Sequence, residues 1–197
     1  MDNVASLYGR NNLYDVIHEA TKNIFIPITV GGGIRSEKDA HKILRAGADK
    51  IAINTAAVKN PKLVIESSKK FGSQCIVVAI DAKKNGDKWE IFTHGGRNNT
   101  GIDALEFAKK MEESGAGELL VTSMDRDGMK RSPNFDETLK VANTSNCPVI
   151  ISGGVSSIDD IKKAKELNNS NIEGIIVGKA IYDGDIKLDE LAKEVDA

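Results

Sequence analysis

The sequence predicts an α/β protein: a (β/α)8 TIM barrel with a two-fold internal half-barrel repeat, incomplete at its N-terminus. Three observations carry that prediction. Short apolar runs rich in β-branched residues alternate strictly with segments of helical spacing, the pattern of a parallel sheet. Most of these runs empty into glycine, asparagine, serine or aspartate. The chain also repeats itself at offsets of 121 to 124 residues.

The opening residues 1–6 (Met1-Asp2-Asn3-Val4-Ala5-Ser6) read as the mouth of a strand. Leu13, Val16, Ile17 and Ala20 give a helix over 13–23. A strand over 26–30 ends in Gly31-Gly32-Gly33. Ser36 is the N-cap of a helix over 36–46, with Asp39 at the third helical position and Gly47 as its stop. A strand over 49–53 empties into Asn54-Thr55-Ala56, and Pro61 opens a helix that ends before Gly72.

The run Cys75 to Ile80 is a buried strand, with Asp81 expected where it emerges. A hairpin over 84–92 turns at Asn85-Gly86, and 93–101 reads as a loop. A helix over 102–114, a strand over 118–123 and the loop Met124-Asp125-Arg126-Asp127-Gly128 follow. A helix over 136–143, a strand over 148–151, a helix over 158–167, a strand over 174–177 and a helix over 188–195 complete the chain. These are six strands with five intervening helices and no linker, so 1–197 reads as one domain.

The repeat sharpens the fold. Ile26-Pro27-Ile28-Thr29-Val30-Gly31-Gly32-Gly33 matches Cys147-Pro148-Val149-Ile150-Ile151-Ser152-Gly153-Gly154. Ile51-Ala52-Ile53-Asn54-Thr55-Ala56 matches Ile175-Ile176-Val177-Gly178-Lys179-Ala180, and Met1-Asp2 matches Met124-Asp125. The unit spans four βα modules, and two units make eight. Such a barrel typically takes about 250 residues. The sequence therefore predicts that the first strand, first helix and most of the second strand lie outside this chain. An open barrel leaves two strand edges unpaired, so the natural product is expected to be longer, or this chain unstable.

Composition narrows the function classes. The formal charge is −2 and the sequence pI about 6.0, against nucleic-acid binding driven by bulk charge. No apolar run is long enough to cross a membrane and no basic-then-apolar leader opens the chain, so a cytoplasmic location is expected. Cys75 and Cys147 show no metal-ligand spacing and read as buried free thiols; no metal or cofactor is expected. His18 and His41 fall on helix surfaces, and His94 in a loop without an assigned role.

In barrels of this class, catalytic groups project from the C-terminal ends of strands. Asp81 is therefore either a catalytic carboxylate or a cap for the following loop. Glycine lets the backbone approach a phosphate whose oxygens accept from loop N–H groups. Two glycine mouths half a barrel apart suggest an elongated substrate with a phosphate at each end; tight βα turns are the plainer alternative. Asp127 is expected to hold substrate, unless its loop is a self-paired turn. Lys50 and Glu118 begin strands at the opposite end, where charge ordinarily forms a solvated rim.

The stretches Thr29-Val-Gly-Gly-Gly-Ile34, Gly47-Ala-Asp-Lys50, Ile53-Asn-Thr-Ala-Ala-Val58, Val78-Ala-Ile-Asp-Ala-Lys83 and Thr122-Ser-Met-Asp-Arg-Asp-Gly128 resemble the cyclase subunit of imidazole glycerol phosphate synthase. So do Phe71-Gly-Ser-Gln74, Asn99-Thr-Gly101 and Gly115-Ala-Gly-Glu118. The resemblance implies a two-fold repeated barrel of histidine biosynthesis. Its reaction takes ammonia from a glutaminase docked on the N-terminal face. Phosphoribulosyl-formimino-AICAR phosphate becomes imidazole glycerol phosphate and AICAR. It implies Asp81 as one of two acid–base aspartates, the other lying before this chain. It implies phosphate contacts from Gly33, Asn54 and Thr55 at one end and from Gly128, Gly154, Gly178 and Lys179 at the other, with Asp127 beside the substrate. Lys50 and Glu118 would belong to an ammonia gate.

Ser152-Gly-Gly-Val-Ser-Ser157 and Ile176-Val-Gly-Lys-Ala-Ile-Tyr-Asp-Gly184 look more like the sister isomerase. Two other readings stand beside the cyclase: a paralogue that delivers ammonia to a nucleotide-linked sugar for surface polysaccharide, and a non-catalytic phosphate-binding remnant.

Overall fold

The computed structural model describes residues 14–167, 169 and 171–196. The expected strand mouth over 1–6, including the Met1-Asp2 repeat, lies outside the described residues. Six strands run parallel in the order β1 (Thr29–Gly31), β2 (Lys50–Ile53), β3 (Ile76–Asn85), β6 (Glu118–Ser123), β7 (Val149–Ser152) and β8 (Ile172–Ile175). The helices α1 (Tyr14–Thr21), α2 (Glu37–Arg45), α3 (Thr55–Lys59), α4 (Lys62–Phe71), α5 (Ala104–Glu113), α6 (Phe135–Thr144), α7 (Ile158–Glu166), α8 (Lys179–Tyr182) and α9 (Leu188–Asp196) alternate with them. This is (β/α)8-barrel architecture, with six of its strands among the described residues.

The sheet has two apolar faces because each strand alternates. On β3, Ile76, Val78 and Ile80 pack outward in one core with Leu63 and Val64 of α4 and Phe107 and Met111 of α5. Burying such side chains contributes about 1.5–3 kcal/mol each. The opposite face, carrying Ala52, Val77, Ala79, Leu120 and Ile150, forms a separate, smaller cluster. The small residues among these leave room inside the sheet. The sheet also curls. Gly32 after β1 and Ile176 after β8 border the same cavity, although five strand spacings in a flat sheet would part them by about 24 Å.

The internal repeat is visible in backbone geometry. Ser36 and Ser157 both precede helices in extended conformation, at φ −145°, ψ 159° and φ −152°, ψ 167°. In each half an aspartate at the third helical position closes the cap. Asp39 Oδ2 accepts from Arg35 N and Ser36 Oγ at 3.1 and 2.9 Å. Asp160 Oδ2 accepts from Ser156 N and Ser157 N at 2.8 and 3.2 Å. Asn54 and Gly178 share an uncommon conformation, φ −112° with ψ −84° and −97°, each before a short helix.

Four expectations from the sequence change. The first strand is β1, three residues rather than 26–30, and Phe25 and Ile26 are 94% and 73% exposed. Pro27 has no N–H to give a sheet, so pairing begins beyond it. The last strand lies two residues earlier than expected, at β8, after a register shift opposite Val149 and Ile150. The segment 93–101 is not all loop. β4 (Lys88–Thr93) turns through 94–97 into β5 (Asn98–Asp103), which pairs antiparallel with it. His94, Gly95 and Gly96 hold positive φ in that turn, and Thr100 Oγ1 donates to Ile91 O at 2.8 Å. Finally, α5 begins at Ala104 rather than 102. Asp103 caps it, accepting from Leu105 N and Glu106 N at 2.9 and 3.2 Å.

Candidate functional site

A cavity of about 480 Å³ opens at the C-terminal ends of the parallel strands. Asp81 enters it because it follows Val77 and Ala79 on the inner face of β3. The strand does not end there, as expected from sequence. It runs on to Asn85, and Asp81 pairs with Thr122 on one side and Phe92 on the other. Asp81 is thus held between a parallel and an antiparallel neighbour, a stiffer seat than a loop would give. Burial pushes its carboxyl up to about 6; the Asp127 charge adds to the rise, and a hydrogen bond with the Thr122 side chain opposes it. A carboxyl so poised exchanges a proton readily near neutral pH.

The first glycine mouth lines the same cavity. Gly33 is there at φ 68°, with Gly32, Asn54 and Thr55. The Asn54 amide already donates to Ala79 O at 3.0 Å and Phe92 O at 3.3 Å. Thr55 Oγ1 donates to Asn54 Oδ1 at 3.2 Å and accepts from His94 N at 3.0 Å. These side chains therefore brace the mouth, leaving backbone N–H groups as the natural anion donors. Arg35 and Lys59 also line the cavity and supply positive charge.

His94 reaches the site too, across the hairpin turn. Its Nε2 lies 3.2 Å from Lys59 Nζ. Nothing in the spacing of His94 or Lys59 foretold this; the β4–β5 turn, read as a loop, creates it.

The loop after β6 divides. Asp127 lines the cavity. Asp125 instead accepts from Lys84 N at 3.0 Å, and Arg126 Nη1 donates to Arg131 O at 3.1 Å. Asp125 and Arg126 thus tie the loop to neighbouring backbone rather than to each other.

The second mouth is built differently. Gly154 is buried and lies outside the cavity, as do Gly128, Gly178 and Lys179, whereas Ser152 and Ile176 line it. The loop after β6 covers Gly154. A Cβ there would come within 2.7 Å of Ser132 O and 2.8 Å of Arg126 Cβ. Lys130 pins the same loop to Asp183 and Asp185 at 2.6 and 2.5 Å.

At the other end of the strands, Lys50 and Glu118 form an ion pair, 34% and 14% exposed. Both share the inner-face parity of Ala52 and Leu120, so the pair lies on the barrel axis side rather than on a solvated rim.

Fold and cavity together define a (β/α)-barrel protein with an acidic group at the mouth of its strands, beside a glycine-rich loop. The class can be narrowed further. A family model described as "Histidine biosynthesis protein" matches residues 1–187, and the chain belongs to that family. Among the described residues no helix is long and apolar enough to cross a membrane.

Proposed function

We propose that this chain carries the cyclase chemistry of histidine biosynthesis. In that reaction ammonia from a glutaminase partner converts phosphoribulosyl-formimino-AICAR phosphate into imidazole glycerol phosphate and AICAR. The observation that carries the reading is Asp81: a half-buried carboxyl pushed up to about 6, in a cavity shared with a glycine-rich mouth. At pH 7 it is mostly ionised and accepts a proton from the substrate or from the attacking nitrogen. The nearby Asp127 carboxylate adds to the rise at Asp81 and so strengthens it as a base.

One phosphate of the substrate rests on Gly33 and the N–H groups after Asn54 and Thr55, with Lys59 and Arg35 balancing its charge. The other extends along the cavity toward Ser152 and Ile176, the residues of the second mouth that line it. Ammonia enters from the opposite end, past the Lys50–Glu118 pair. That inward-facing pair favours a reaction with a small nucleophile delivered through the strands over one needing none.

The test is loss of substrate absorbance with the bis-phosphate and an ammonium salt, for the chain as given and with Asp81→Asn. Turnover that survives Asp81→Asn defeats the assignment. Turnover abolished by that change, and rising with pH through about 6 in the unaltered protein, supports it.

A further inference from the structure

The site leaves one deeply buried carboxyl without a role. Glu137 is the third residue of α6, in the helix turn where acidic side chains ordinarily face water and the unpaired N–H groups. Its backbone N does donate to the Asn134 cap at 3.3 Å, but its side chain is only 1% exposed. Oε2 accepts from the hydroxyl of Ser123, itself 3% exposed. Oε1 has no hydrogen-bond partner among the described residues. A buried carboxylate with one partner is costly. Burial pushes the group up to about 8, against the Ser123 hydrogen bond and with help from the Asp125 charge.

Ser123 is the last residue of β6, and its carbonyl oxygen is where the next turn is tied. Arg126 N and Asp127 N both donate to it, at 3.0 and 2.9 Å. Met124 N donates to Ala82 O at 2.9 Å, binding the same corner to the strand that bears Asp81. On the other side, a Cβ at Gly153 would lie 3.0 Å from Ser123 O and 3.4 Å from Asp127 Cα. The corner is therefore held by Ala82 and Gly153 along its backbone and by Glu137 at its hydroxyl.

We propose that Glu137 is a positioning residue: through the Ser123 hydroxyl it fixes the Ser123–Asp127 turn, and so sets how close the Asp127 carboxylate stands to Asp81. This rests on, and deepens, the reading of Asp81 as the proton-transfer group. An apolar residue at 137 fills the space but leaves the Ser123 hydroxyl buried and unpaired, which the turn relieves by moving.

The test reads the carboxyl of Asp81 by carbon NMR titration of the whole chain, assigned with Asp81→Asn. Besides Asp127 and Thr122, the groups bordering the same cavity are Arg35, Lys59 and His94, and these stay unaltered throughout. Glu137→Leu and Ser123→Ala each shift the Asp81 titration down, toward the ordinary aspartate range. Glu137→Gln keeps an acceptor for Ser123 and holds the titration near its original midpoint. Asp127→Asn also lowers it in the unaltered chain, but has a smaller effect once Glu137→Leu is present. Should Glu137→Leu fail to fold, Ser123→Ala removes a single oxygen and decides the matter. An unmoved Asp81 titration in folded Ser123→Ala overturns the proposal. No substrate is involved, so absence of turnover counts against the functional reading alone.

Discussion

The two glycine mouths begin from the same backbone and end as different objects. Asn54 and Gly178 adopt nearly the same dihedrals, and Ser36 and Ser157 cap their helices by the same aspartate device. Yet Gly32 and Gly33 border an open cavity, while Gly153 and Gly154 are buried under the loop that follows β6. What differs is the cover, not the motif. A glycine-rich turn states that a backbone can be approached closely. Whether a ligand or another loop makes the approach is decided by the preceding module.

The largest expected effect tests the open side. Where the protein turns over the bis-phosphate with ammonium, Asp81→Asn lowers kcat by about 10²–10⁴, as loss of a general base does. On the covered side, Gly154→Ala destabilises by about 2–4 kcal/mol in denaturant unfolding, because its Cβ would meet the Ser132 carbonyl and its φ is +93°. Gly178→Ala, at φ −112° and with open space beside it, changes stability by less than about 1 kcal/mol. Equal costs for the two would erase the distinction between a covered and an open glycine.

Glu137 sharpens the comparison from beneath the cover. Its folded pKa stands above its unfolded value, so the folded state binds the extra proton between pH 4.5 and about 8. Stability therefore falls as pH rises through that window. Glu137→Gln removes the penalty and should gain on the unaltered chain by about 1–3 kcal/mol at pH 8, with little difference at pH 4. Urea midpoints at the two pH values check this. A smaller effect separates the mouths by charge. Lys59→Ala weakens inorganic phosphate binding about tenfold by calorimetry, whereas Lys179→Ala, outside the cavity, changes it less than twofold. Smallest is Lys130→Ala. Its ion pairs are screened by solvent, so the change leaves the urea midpoint nearly unmoved. Even so, it speeds amide exchange over 128–132.

Much of this was legible in the chain itself. Strand order followed from alternation, and the Ser36–Asp39 cap was readable because both ends of a local device lie within four residues. Asp81 was readable as a carboxylate at the end of an apolar run. What escaped was non-local or mispatterned. Asn99 and Thr100 look like loop residues, but their side chains bind Glu90 and Ile91 across a hairpin, so β5 and the placement of His94 went unseen. Glu137 looks like any acidic residue in a first helical turn; only the packing of α6 beneath β6 reveals that it is buried. Gly154 matched Gly33 in sequence, and nothing local announced the loop lying over it.

The strand that bears Asp81 joins the parallel and antiparallel parts of one sheet. Its first residues are locked among parallel neighbours, and its last five run out into the β3–β4–β5 hairpin, whose far turn carries His94 back over the cavity. A single unbroken backbone thus joins the cavity's rim to its floor.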